Sequence, residues 1–228
     1  MTLIAHAIVA APPIGVAIAG LRGRPLAWTD CGELALCSTE LAAHVRLERD
    51  DAFAHHRVVE EICAAQACLP VRFGTAFAAP DAARASLRER GEELRKALAL
   101  VDGKRELAVT LLWRGGHAAA AVASEASAAG PGTRFMRERQ ARYASEDVRR
   151  RRAAELADSL VAELAVERQL VWHETCTSAH VAVSLAVLVP SEQAQERKDA
   201  LAEAVRRFAD VTGVVNGPWP PYSFVGPR

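Results

Sequence analysis

The sequence predicts an α/β (α+β) protein of two domains, on three observations. Short apolar runs broken by Gly, Pro and Asp turns occupy the start of the chain, the pattern of short strands. Two amphipathic stripes at helical spacing follow between Glu48 and Val101. From Glu106 onward the patterns succeed one another as β-α-β-β-α-β, the order of a ferredoxin-like domain. The boundary falls near Gly103, giving an N-terminal α/β domain at 1–103 and a ferredoxin-like domain with a Pro/aromatic C-terminal tail at 104–228.

Leu3 to Ala10 is a buried first strand, followed by a Pro12-Pro13 break. Val16 to Leu21, Leu26 to Thr29 and Glu33 to Ser38 are further strands, with Gly20, Gly23-Arg24-Pro25 and Asp30-Cys31-Gly32 supplying the turns. Glu48 to Ala67 is a helix whose stripe is Val58, Ile62, Ala65 and Leu69, with Asp50 and Asp51 suited to its positive N-terminal end. Leu69-Pro70 ends it, because a residue before proline is pushed out of the helical region. Val71 to Ala78 is a short strand and Asp81 to Val101 a second helix, in which Gly91 on the apolar stripe suggests close approach of another backbone.

In the second half, Glu106 to Trp113 alternates as a strand, and Gly115 to Gly132 is a small-residue loop or weak helix. A long helical region runs from Thr133 to about Leu170, with Leu156, Leu160 and Leu164 inward and a break expected near Ser145. Val171 to Thr177 and His180 to Val189 are strands. Ser191 is placed to cap a helix carrying Leu201, Val205 and Phe208, which Gly213 ends. Val214 and Val215 begin a last extended segment.

Composition excludes several classes. Half of the 228 residues are hydrophobic and a quarter charged, too apolar for a disordered chain. Lys+Arg and Asp+Glu both number 28, so the positive excess that a nucleic-acid binder uses to release counterions is missing. The run Arg149 to Arg152 sits among seven acidic residues between Arg134 and Leu170, which makes a solvated, ion-paired helix face the expectation. The uncharged stretch Met1 to Leu21 lacks the basic start of a signal peptide, and its prolines interrupt any membrane span, so a cytoplasmic protein is expected. Five cysteines form no zinc or redox spacing, and Cys63 and Cys68 are expected as small buried thiols.

Catalytic and metal motifs are missing too. His55-His56 with Asp51 and Glu60 is the best cluster, but adjacent helical residues point about 100° apart and cannot share one ion. No metal, cofactor or catalytic residue is assigned. Two segments ask for more than packing. In Leu69-Pro-Val-Arg-Phe-Gly-Thr75, Arg72 interrupts an apolar strand and needs a carboxylate, carbonyls or a ligand for its donors. In Asn216-Gly-Pro-Trp-Pro-Pro-Tyr-Ser-Phe224, the prolines forbid a central strand and leave an edge strand or extended tail. Its aromatics either clamp onto the body or dock a partner.

These segments carry a resemblance. His56-Arg57-Val58-Val59-Glu60 with Leu69 to Thr75, and Gly217-Pro218-Trp219-Pro220-Pro221-Tyr222-Ser223-Phe224, resemble the signatures of the GvpF/GvpL family of gas vesicle proteins. Ala5-His6-Ala7 stands where that family commonly carries aromatic residues, a departure that bears on the F-like or L-like subfamily. The resemblance implies a non-enzymatic accessory or minor structural component for buoyancy, localised to the cytoplasm and the gas vesicle. It would bind the hydrophobic shell protein GvpA, and other gas vesicle accessory proteins, during assembly. Trp219, Pro220, Pro221, Tyr222, Phe224 and Arg72 are the expected partner-binding residues, with neither nucleic acid nor membrane as a partner. The competing class is a ferredoxin-like small-molecule- or metal-binding protein or enzyme, using His55, His56 or Arg72 at an interdomain cleft.

Overall fold

The structure, a computed structural model, describes residues 1–13, 18–114, 131–175 and 180–225. It divides into two compact units: one of Met1–Glu106 with Leu188–Ala194 and Pro218–Arg228, the other of Leu107–Val187 with Gln195–Gly217. The C-terminal tail therefore packs with the first unit rather than with the half of the sequence that precedes it.

In the first unit β1 (Thr2–Val9) is the central strand, and β2 (Leu26–Asp30) and β3 (Ala35–Leu41) lie to one side in the order β2-β3-β1. Two very short strands, β4 (Leu69–Pro70) and β5 (Ala76–Phe77), pair antiparallel with the other edge of β1. The helices are α1 (Arg49–Ala65), α2 (Pro80–Glu89) and α3 (Gly91–Val101). Val58, Val59 and Ile62 of α1 pack on Ala7, Val9, Ala35 and Cys37 to make the core. At the start of α1, Asp51 Oδ2 accepts the Glu48 N–H at 2.9 Å in a capping box.

Several expectations change here. Of the strand expected at Val16 to Leu21, part lies outside the described residues, and Leu21 opens a 3-10 turn to Gly23. The chain passes so close to Thr39 that a Cβ on Gly20 would meet the hydroxyl oxygen, and Arg22 sits at φ 55°. The expected second helix is two helices, broken at Arg90 (φ −106°, ψ 12°). Gly91 begins α3 with open space around it, so no close approach explains it. Cys63 and Cys68 are not separate thiols: chain reversal after α1 brings their Cα atoms to 5.3 Å, and a disulfide joins them.

The second unit contains most of β6 (Lys104–Trp113), α4 (Pro131–Leu164), β7 (Val171–Thr175), most of β8 (Val181–Pro190), most of α5 (Ala194–Arg206) and most of β9 (Val211–Trp219). The sheet order β7-β8-β6-β9 places the first of its strands between the third and the fourth, the ferredoxin-like arrangement. Leu107, Val109 and Leu111 of β6 and Leu156, Leu160 and Leu164 of α4 are fully buried, as their alternation and helical spacing require. Helix α4 runs unbroken past Ser145 and stops at Leu164, where Ala165 turns left-handed at φ 50°. The expected loop at Gly115 to Gly132 lies almost wholly outside the described residues. Arg152 forks onto Asp210 at 2.8 and 3.2 Å and Arg150 pairs with Asp147, so Arg150 and Arg152 of the basic run are ion-paired.

Ser191 does not cap α5; its hydroxyl donates to the Gly103 carbonyl at 2.9 Å, and α5 begins after a 3-10 turn. Nor does Gly213 end that helix. It lies inside β9, where a Cβ would stand 2.6 Å from Leu111 Cδ2, 2.7 Å from Val205 Cγ1 and 3.1 Å from the Thr110 carbonyl. Gly213→Ala is therefore expected to lower unfolding stability by about 1–3 kcal/mol, measured by urea denaturation, because the added methyl overlaps the packed Leu111 and Val205 side chains.

Candidate functional site

The segment Leu69–Thr75 is not the continuous strand that its apolar run suggests. Leu69 pairs with Ile8 and Pro70 with Ala7, and Val71 N–H still donates to the His6 carbonyl at 2.8 Å. The chain then bulges and returns, with Ala5 N–H donating to the Thr75 carbonyl at 2.9 Å before Ala76 pairs with Ile4. Gly74, at φ 87°, makes this return possible. Arg72 consequently stands exposed at the apex rather than buried in a strand, and makes no ion pair among the described residues. Its donors are met by solvent, which removes the requirement for a buried partner.

Opposite the bulge, the β1–β3 register shifts at His6, and the His6 side chain enters the core. His6 Nδ1 lies 2.9 Å from His55 Nδ1, and His6 Nε2 lies 2.7 Å from Thr39 Oγ1. Thr39 Oγ1 also accepts the Leu21 N–H at 3.1 Å. A single N–H lies between the two rings, so one Nδ1 donates and the other accepts, and their tautomers are set together. Burial, reinforced by His55, pushes His6 down to about 3. Burial also pushes His55 down to about 4; the Val71 carbonyl beside it works against that drop, although His55 Nε2 makes no well-formed hydrogen bond. Phe73 closes the group, edge-on to His55 with ring centroids 5.4 Å apart.

The C-terminal tail lies against α1 in the same unit. Pro220 and Pro221 are buried, and Tyr222–Phe224 form a 3-10 turn that inserts Phe224 into the core. Ser223 donates its N–H and its hydroxyl to the two carboxylate oxygens of Glu106, at 2.7 and 2.8 Å. Burial raises the Glu106 carboxyl, and the two Ser223 bonds work in the opposite direction. His56 Nδ1 stands 3.0 Å from the Tyr222 hydroxyl, and its ring packs against Trp219 at 5.7 Å and Tyr222 at 6.0 Å. Glu60 Oε1 lies 3.8 Å from His56 Nε2, and Glu60 Oε2 lies 3.7 Å from Arg105. Burial, with the Glu60 and Glu106 carboxylates, lifts the Tyr222 phenol to about 12.

Of the residues singled out from sequence, Trp219 and Tyr222 come together, each still more than a third exposed at 38% and 39%. Pro220, Pro221 and Phe224 are anchors beneath them. His55 and His56 separate: the first faces the core, the second the tail. Sequence reasoning missed His6, Glu106 and Phe73, whose roles depend on distant partners; the one local signal was a histidine and a glutamate in apolar strands. Among the described residues no group of three His, Cys, Asp or Glu side chains is placed to hold a metal. No helix there is long and apolar enough to cross a membrane.

The family described as gas vesicle synthesis protein GvpL/GvpF matches residues 3–226. The chain belongs to the GvpL/GvpF family. Gas vesicle protein L2 of Halobacterium salinarum is 32% identical over 192 residues, covering 75% of this chain and 68% of that protein. The crystal structure of GvpF from Microcystis aeruginosa matches with a TM-score of 0.76 at 18% identity, over 99% of both chains. That of GvpF from Anabaena sp. PCC7120 matches with 0.76 at 17% identity, over 100% of this chain and 97% of that one. At such low identity these two establish the fold, and the mixed α/β architecture of this GvpL/GvpF protein agrees with them.

Two outcomes follow from the geometry. The folded state holds His6 and His55 below the ordinary value of 6.5. The unfolded chain therefore binds more protons in acid, and stability present above about pH 6.5 falls as the pH drops toward 4. Urea titrations at pH 7 and pH 4 should show that fall, and a His6→Asn, His55→Asn double variant should flatten it. Glu106→Ala should cost about 1–3 kcal/mol by leaving the Ser223 donors unpaired. It should also free the C-terminus to carboxypeptidase digestion, followed by mass spectrometry.

Proposed function

We propose that this GvpL/GvpF protein is a non-enzymatic accessory of gas vesicle assembly, acting in the cytoplasm and at the vesicle by binding the hydrophobic shell protein GvpA. The observation that carries this reading is the match to the gas vesicle synthesis family over residues 3–226. The contact is assigned to the exposed faces of Trp219 and Tyr222, with Arg72 as a further contact. Pro220, Pro221 and Phe224 hold the tail in place and contribute by presenting those aromatics. A shell subunit that is apolar before assembly needs reversible cover, and rigid half-exposed aromatics provide it at small entropic cost.

The test is a pairwise binding assay between this protein and GvpA, comparing wild type with a Trp219→Ala, Tyr222→Ala double variant. The variant should keep its circular dichroism spectrum, because Phe224 and the Ser223–Glu106 bonds still anchor the tail. It should bind at least about tenfold more weakly, as expected when buried aromatic anchors are truncated. Failure of wild type to bind GvpA would overturn the function. Unchanged binding by a folded variant would remove the tail from the contact.

A further inference from the structure

The turn before α1 and the bulge of the Leu69–Thr75 signature enclose a shallow, open depression of about 550 Å³, lined by Arg46, Leu47, Glu48, Arg49, Ala52 and Phe73. Its floor is firm. Leu47 packs on the core of Ile4, Leu21 and Leu41, and Phe73 is held edge-on by the buried His55 ring. Such a preformed apolar hollow accepts a side chain without first reorganising.

The rim is cationic. Arg46 and Arg49 are exposed and make no ion pair among the described residues, as does Arg72 beside Phe73. Two of the nearby carboxylates are engaged, Asp51 by the Arg22 fork at 3.0 and 2.8 Å and Glu48 by the Asp51 N–H in the capping box, while Asp50 is exposed in the first turn beside Arg49. Arg49 lies over the ring of Phe53, 5.4 Å from its centroid, and Phe53 is 58% exposed. A cation over a ring face is held by the ring's quadrupole and still has N–H donors to offer a carboxylate. The depression is too open to enclose a small molecule but matches the anatomy of a protein contact: apolar centre, aromatic and arginine rim.

We infer that this depression docks a protein segment carrying an apolar anchor residue with carboxylates beside it. The anchor fills the space over Leu47, Ala52 and Phe73, and the carboxylates meet Arg46 and Arg49. The surface uses no tail residue, so the inference stands independently of the Trp219–Tyr222 assignment.

The probe is a fluorescein-labelled peptide with a Leu/Phe stripe flanked by glutamates, titrated against the full chain by anisotropy. A second peptide replaces each glutamate by glutamine. Wild type should bind the glutamate peptide about tenfold more tightly than the glutamine peptide, and added salt should erase the difference. An Arg46→Ala, Arg49→Ala variant should lose that preference. Ala52→Trp, which fills the hollow and leaves the charges alone, should weaken both peptides, while Trp219→Ala should change neither. Circular dichroism verifies that each variant is folded. No binding by wild type, equal binding of the two peptides, or full binding by folded Ala52→Trp would each overturn the inference.

Discussion

Strand β1 is buried along nearly its whole length, and a buried backbone must have its N–H and C=O groups paired on both edges. That requirement organises the first unit. One edge is met by β3 over Thr2 to Val9, and the other by β4 and β5 together, which are two residues each. Between those two fragments the chain leaves the ladder for the Arg72 bulge, yet Val71 N–H and the Thr75 carbonyl still serve His6 and Ala5. The bulge costs β1 little pairing and places an arginine in solvent and a phenylalanine against the core. On the opposite edge the register shift at His6 turns its imidazole inward, where Thr39 and His55 satisfy it.

The tail obeys a related constraint. Prolines 218, 220 and 221 have no N–H to donate, so β9 is an edge strand and ends at Trp219. Beyond it, backbone ladders cannot hold the chain, and side chains take over. Phe224 supplies burial, Glu106 accepts two bonds from Ser223, and His56 bonds Tyr222. A carboxylate as buried as Glu106 is tolerated because both of its oxygens are engaged. Within this one segment Pro220, Pro221 and Phe224 are buried and clamp the tail, while Trp219 and Tyr222 remain partly exposed.

Much of the fold was legible in the chain. The alternation in β6 and β8, the stripe of α1 and the order of elements after Glu106 follow from period 2 and period 3.6 burial, which a sequence records directly. The errors arose where backbone conformation overrode pattern. Leu69 to Thr75 is apolar enough for a strand but contains a glycine that turns left-handed, and the stripe of 81–101 continues in phase across a break at Arg90. Ser191 and Gly213 have the composition of a cap and a stop, yet tertiary contacts with Gly103 and with Leu111 and Val205 decide their places.

What the sequence by itself determined was the two-part α/β class, the ferredoxin-like order of the second half, the edge character of the proline-rich end and, through its two signatures, the family. These are local properties, set by spacing, turn chemistry and residue identity. Only the tertiary structure decided which distant groups meet: His6 with His55 across 49 positions, Glu106 with Ser223 across 117, and His56 with Tyr222 across 166. The same is true of the split between His55 and His56, since the rotation per helical residue predicts that they diverge but not what each faces. Such pairings depend on strand register and helix placement. A chain read residue by residue records that a group is buried and leaves the identity of its partner to the fold.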